Sequence, residues 1–174
     1  MSTIKLINGS SVDQKVDAIV NAANKYLAAG GGVCGEIFKR AGYIELNNAC
    51  KEINTPLNTG DAVITDSFNI ENTRYIIHAV GPNFNDENST VNELYLAYKN
   101  SLNILKENNL HSISFPLISS GIFGGNLPNP AEESTKQCLK AYNDFIKENN
   151  YEVEVLLCAY SKNEYEQARR VFND

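Results

Sequence analysis

The chain has 174 residues, 43% of them hydrophobic and 21% charged, with a formal net charge of −6. The composition excludes a disordered or collagen-like protein, and the length fits one domain around one core. The acidic balance argues against a generic duplex-DNA binder, which needs Lys and Arg to replace counterions on phosphates, and no apolar run approaches the roughly 18 residues of a membrane span.

The first residues, MSTIKLINGS, lack a basic region followed by an apolar stretch, so no signal peptide is read and a cytoplasmic protein is expected. Residues 3–8 (TIKLIN) and 16–21 (VDAIVN) read as strands rich in Ile, Val and Leu. A glycine cluster at Gly30, Gly31 and Gly32 precedes a helix over 33–42, continued by another towards Ile53. Thr59-Gly60-Asp61 marks a turn, AVITDSF (62–68) the next strand, and RYIIHAV (74–80) another, ended by Gly81-Pro82. Residues 91–106 repeat Val91, Leu94, Tyr95, Tyr98, Leu102 and Leu105 at helical spacing, and Thr90 with Glu93 has the spacing of a capping box. SISFPLI (112–118) is a short apolar strand. A helix then starts at Pro130 with Asn129 as its cap, its buried stripe being Thr135, Cys138, Leu139, Tyr142, Phe145 and Ile146. A buried strand over 153–160 and a helix over 162–172 close the chain. Strands separated by helices predict an α/β sandwich with a largely parallel sheet. Short, nearly all-apolar strands predict a sheet covered on both faces.

In such sheets ligands bind beyond the C-terminal ends of the strands. Two glycine-rich loops fall there: Gly30-Gly31-Gly32-Val33-Cys34-Gly35, opening a helix, and Ser119-Ser120-Gly121-Ile122-Phe123-Gly124-Gly125, after strand 112–118. Consecutive N–H groups and a helix N-terminus favour an anion, so two facing loops can grip a diphosphate. Gly30, Gly32 and Gly35 match G-x-G-x-x-G, but the strand ends near Asn21, too early for a dinucleotide fingerprint, and no G-K-[ST] follows.

Asn21 and Asn24 frame the end of strand 16–21. Each suits ribose hydroxyls, the alternative being a turn residue that satisfies its own backbone. Cys34 sits at a helix N-terminus, a place that lowers a thiol pKa. Its possible partners are His78, in an apolar strand where a structural role is commoner, and His111, in an exposed turn. A packed or ligand-contacting Cys34 is favoured over Cys–His catalysis. Phe123 and Tyr160 offer rings for base stacking, against the usual role of core packing. Glu132 and Glu133 lie in a helix first turn, where they complement the dipole, and carry no catalytic role. The four cysteines form no C-x-x-C, so no metal site is expected.

In order and spacing, VDAIVNAAN (16–24), GGGVCG (30–35), YIIHAVGP (75–82) and FPLISSGIFGG (115–125) resemble the macrodomain family, most of all its MacroD-type and alphavirus-type branch. The resemblance covers almost the whole chain. It implies a three-layer α/β/α fold with a six-stranded mixed sheet, and ADP-ribose or an ADP-ribosylated protein as partner. It implies removal of single ADP-ribose groups from acidic side chains, or deacetylation of O-acetyl-ADP-ribose, with no cofactor and no metal. Carried over by motif, the binding residues are Ser10, Ser11, Ala22, Asn24, Gly31, Gly32, Val33, Cys34, Ser119, Ser120, Gly121, Ile122, Phe123 and Tyr160. Asn24 would hold the distal ribose, and Asn24 and Cys34 are the candidate catalytic residues. The chain departs from the family at four points. The usual Gly-Asp after the first strand reads Gly9-Ser10-Ser11, so adenine recognition is weakened or rerouted through Ser10 or a backbone group. Cys34 stands where the cellular hydrolases carry Asp, Phe38 where they often carry His, and Phe123 where Tyr is frequent. A module that binds ADP-ribose without turning it over, and a binder of another nucleotide, stay open. Nothing marks an oligomer interface, and a monomer is expected.

Overall fold

The computed structural model describes residues 1–173. Its strands are β1 (Thr3–Asn8), β2 (Val16–Ala23), β3 (Ala62–Asp66), β4 (Thr73–Val80), β5 (Ser112–Pro116) and β6 (Glu154–Ala159). The helices are α1 (Gly32–Ala41), α2 (Tyr43–Lys51), α3 (Val91–Glu107), α4 (Pro130–Glu148) and α5 (Lys162–Phe172). The strands form one mixed sheet in the order β1-β6-β5-β2-β4-β3. Every neighbouring pair is parallel except β3 with β4. Because strand side chains alternate between faces, the sheet feeds two cores. Ala18, Val20, Ile77, Phe115 and Leu157 pack with Tyr98, Leu102 and Phe145 of α3 and α4. Ile19, Ile76 and Val80 pack with Ile37, Phe38 and Leu46 of α1 and α2. The result is the three-layer α/β/α sandwich that the alternating pattern and the resemblance imply.

The capping box opens α3: Thr90 Oγ1 accepts from the Glu93 N–H at 3.2 Å, and the Glu93 carboxylate accepts from the Thr90 N–H at 2.9 Å. Other expectations need correction. The two successive helices expected after residue 33 are present, separated at Gly42, which takes φ +108°, but the second ends at Lys51, short of Ile53. β3 stops at Asp66, whose carboxylate accepts the Phe68 N–H and turns the chain out of the sheet. β5 stops at Pro116, because the next residues turn into the second glycine loop. Asn129 stands at the cap of α4 but its side chain makes no capping bond; its carbonyl accepts from Glu133 instead. On α4, Leu139 is half-buried and Ile146 exposed, while Ala131, Ser134 and Ala141 are buried, so the apolar stripe is turned slightly from the predicted one. Two short 3-10 turns, Ser11–Asp13 and Ile122–Gly124, were not expected from the pattern.

Candidate functional site

Parallel pairing brings the C-terminal ends of β1, β6, β5 and β2 to one edge of the sheet. A cavity of about 640 Å³ opens there. All fourteen binding residues implied by the resemblance line it: Ser10 and Ser11 after β1, Ala22 and Asn24 at the end of β2, the first glycine loop with Cys34, the second loop from Ser119 to Phe123, and Tyr160 after β6. Gly30, named with the first loop, lines it too, and the sequence reading missed Gly9, Ala23, Pro116, Leu117, Cys158 and Glu164. Most of these adjoin predicted residues along the chain. Glu164 does not, and only the sheet order places it here.

The first loop runs directly into α1. The first N–H groups of a helix have no intrahelical partner. In α1 the Gly35 N–H is the first to be used, donating to the Gly31 carbonyl at 3.2 Å. Gly35 has to be glycine, because a Cβ there would stand 2.5 Å from the Gly30 carbonyl oxygen. The second loop is held by its carbonyls and hydroxyls. Phe84 N–H donates to the Phe123 carbonyl at 2.7 Å, and the Asn85 side chain donates to the Ile122 carbonyl at 2.8 Å. Ser119 sits at φ +59°, an uncommon conformation for a residue with a side chain. Its hydroxyl donates to the Pro82 carbonyl at 2.7 Å, which ties the turn to the segment after β4. Among the described residues, the backbone N–H groups of 31–34 and of 121–123 donate to no protein acceptor. Residues on two walls of the cavity therefore carry seven unpartnered donors, and no Lys, Arg or His side chain lines it among the described residues. Such an arrangement holds a phosphate by backbone dipoles.

The titratable groups behave differently from expectation. Cys34 is 7% exposed, and its thiol donates to the Ala28 carbonyl at 3.6 Å. Burial pushes its pKa up, and the opposing pull of the Gly30 backbone and the Asn21 side chain does not cancel this. The lowering expected from a helix N-terminus is thus overturned by desolvation. His78 is fully buried in β4, and burial holds its pKa down at about 4. Its Nδ1 lies 3.0 Å from Asn21 Nδ2 and its Nε2 2.9 Å from Thr65 Oγ1. Both ring nitrogens are thereby occupied, and His111 lies exposed at the far end of β5 with Nδ1 at 2.7 Å from the Glu152 carbonyl. Neither histidine serves Cys34. Asn21 is buried at 1% exposure and braces His78, so it is not a ribose contact.

Asn24 remains on the cavity wall but largely serves its own loop. Its Oδ1 accepts from the N–H groups of Tyr26 (3.1 Å) and Ala28 (3.0 Å), and Nδ2 donates to the Ala28 carbonyl at 2.9 Å. An amide nitrogen carries two N–H bonds, so one donor remains. Tyr160 is 78% exposed and Phe123 38%, so neither ring is spent on the core. Ser10 Oγ accepts from the Val12 N–H at 3.2 Å, and the buried Ser11 hydroxyl has no partner among the described residues.

Known proteins share this fold. The model of the Macro domain family matches residues 20–138. The chain belongs to the macro domain family. The O-acetyl-ADP-ribose deacetylase of Escherichia fergusonii is 36% identical over 99% of this chain and 94% of its own. The human ADP-ribose glycohydrolase MACROD2 is 35% identical over 98% of this macro domain, which spans 39% of that longer protein. Among solved structures, the Oceanobacillus iheyensis macrodomain with ADP superposes with a TM-score of 0.89 at 34% identity, covering 99% of this chain and 90% of that one. Among the described residues of this macro domain, no group of three His, Cys, Asp or Glu side chains is placed to hold a metal ion.

Proposed function

We propose that the cavity binds ADP-ribose and that the protein hydrolyses the ester joining a single ADP-ribosyl group to an acidic protein side chain, or the acetyl ester of O-acetyl-ADP-ribose. The observation that carries this reading is the pair of glycine loops, which line the cavity from two sides with seven unpartnered N–H groups among the described residues and no cationic side chain. The names of two relatives, an O-acetyl-ADP-ribose deacetylase and an ADP-ribose glycohydrolase, support the same chemistry.

Among the described residues no histidine lines the cavity, both thiols on its wall, Cys34 and Cys158, are held protonated by burial, and its carboxylate, Glu164, is engaged at the cap of α5 by the Ser161 hydroxyl at 3.1 Å. The water is therefore activated by the ligand itself. It lies between a phosphate oxygen and the distal ribose and passes its proton to the phosphate as it attacks: at the anomeric carbon of the protein ester, from which the side-chain carboxylate leaves, or at the acetyl carbonyl of O-acetyl-ADP-ribose, from which the ribose oxygen leaves and takes that proton back. Asn24 orients the distal ribose through its remaining N–H. The loops fix the phosphate, and orientation alone can contribute several kcal/mol, up to roughly 7–11 for a well-aligned pair. Loop N–H groups stabilise the developing charge. The four free, buried cysteines fit a reducing compartment such as the cytoplasm.

One observation favours a second reading, a module that binds ADP-ribose without turnover: Asn24 commits three hydrogen bonds to its own loop, and no free base stands beside it. Calorimetry with ADP-ribose, combined with a time course on mono-ADP-ribosylated protein and on O-acetyl-ADP-ribose, separates the two. Release of ADP-ribose or acetate, reduced at least tenfold in Asn24→Ala, supports the hydrolase. Binding without release selects the reader. Tight binding of another nucleotide with none of ADP-ribose would sink both.

A further inference from the structure

Among the described residues the cavity wall carries one carboxylate, Glu164, to which the hydrolysis assigns no task. A carboxylate beside a diphosphate is repelled by it, so Glu164 has to face a part of the ligand that donates hydrogen bonds. Its surroundings identify that part. Glu164 lies in the first turn of α5, where its N–H donates to the cap residue Ser161 and its Oε1 accepts the Ser161 hydroxyl, each at 3.1 Å. Its other oxygen, Oε2, lies 3.0 Å from Ser120 Oγ, whose single O–H it shares with the Leu117 carbonyl at 2.8 Å. A helix cap has no need of that second bond, which reaches across 44 residues to the phosphate loop. The carboxylate is thus pinned between the cap of α5 and the residue directly before Gly121.

The sheet order supplies the rest. The ends of the strands follow one another as β1, β6, β5 and β2. Both glycine loops belong to the β5 and β2 side. The exposed Tyr160 ring and the Ser10–Ser11 turn belong to the β6 and β1 side. Glu164, bonded to the β5 loop and one helical turn beyond Tyr160, stands between them. A nucleotide has the same order: phosphate, sugar, base. We infer that Glu164 recognises the sugar of the adenosine half, its carboxylate accepting hydrogen bonds from the 2′- and 3′-hydroxyls, and that it excludes ligands phosphorylated at the 2′ position. The inference rests on the ADP-ribose reading of the cavity. Its chemistry is general: an acidic side chain beside a glycine phosphate loop selects a free ribose diol over a 2′-phosphate.

The test is titration calorimetry at fixed salt with ADP-ribose and with 2′-phospho-ADP-ribose, on the unaltered protein and on Glu164→Gln. Glutamine keeps an acceptor for the cap and removes the charge, and thermal unfolding without ligand checks that the fold is retained. The unaltered protein should prefer ADP-ribose at least tenfold, or about 1.4 kcal/mol. In Glu164→Gln, ADP-ribose binding should weaken about threefold or more, and the preference should shrink to about threefold or less. Equal affinity of the unaltered protein for the two ligands overturns the inference. So does a preference that survives intact in Glu164→Gln, since Glu164 would then serve only as a cap. Absence of ADP-ribose binding is a different result: it removes the reading of the cavity, and this inference with it.

Discussion

Gly31→Glu tests the phosphate loop most directly. Gly31 has φ −91° and ψ −173°, an extended conformation open to any residue, and a Cβ there meets nothing within 4 Å. The substitution therefore adds a side chain without strain or clash. Its carboxylate would lie roughly 6 Å from a diphosphate held by the loop, a repulsion of about 3 kcal/mol at an effective dielectric near 20. Salt screening trims this, so ADP-ribose binding should weaken by at least about 2 kcal/mol, or roughly thirtyfold. The neighbouring glycine supplies the contrast. Gly32 sits at φ +58° in equally open space, so Gly32→Ala carries a backbone cost of about 1–2 kcal/mol. That should lower the melting temperature by a few degrees, whereas Gly31→Ala should leave it level or raise it slightly. Calorimetry with ADP-ribose and thermal unfolding of the unliganded protein measure the two effects separately. A Gly31→Glu variant that binds ADP-ribose as tightly as the unaltered protein would refute the placement of the diphosphate.

Three further outcomes follow from the same geometry. His78 is held neutral in the fold at a pKa of about 4, against about 6.5 when unfolded, so its contribution is complete above about pH 6.5 and is lost as the pH falls towards 4. Denaturant unfolding should therefore show stability dropping on the order of 3 kcal/mol across that window, and His78→Gln, though less stable at neutral pH, should show a shallower fall. Cys34→Ala should retain ADP-ribose release within about tenfold, because a buried thiol with a raised pKa is not the nucleophile; a loss beyond a thousandfold in steady-state assays would restore it to that role. Raising the salt from about 20 to 150 mM should leave ADP-ribose affinity level or increase it, because the net charge of −6 repels the ligand at long range and the site holds no cationic side chain. A steep fall in affinity over that range would show that Lys or Arg side chains carry the binding.

The legible parts of the fold are those written in short stretches of chain. TIKLIN is β1, the Thr90–Glu93 spacing is a capping box, and the last helix falls at residues 162–172 as the pattern reads. The two glycine loops are legible for the same reason, since a run of glycines beside a strand end declares its backbone freedom locally. The pairing of Ser120 with Glu164 and of Asn21 with His78 was not legible. Each joins residues 44 or more apart, and the sheet order that brings them together is set by long-range strand pairing. Cys34 shows how a correct local rule can lose. Its helix N-terminus is where the sequence puts it, yet the packing of α1 against β2 buries the thiol, and desolvation decides the sign of the shift.

This division bears on what the site can select. Backbone N–H groups recognise a phosphate by charge and geometry and are indifferent to what the phosphate carries. Loops built from glycine therefore give a general grip on a diphosphate, and an acidic protein can supply it without any lysine. Discrimination falls to the side chains around the grip. At the β2 end that is Asn24, with one donor left after bracing its own loop. At the β6 end it is Glu164, an acceptor fixed to the phosphate loop through Ser120. A donor at one end and an acceptor at the other make the two sugars of an ADP-ribose unequal. On the proposed reading of the cavity, ADP-ribose then has one favoured direction, with its distal ribose at Asn24.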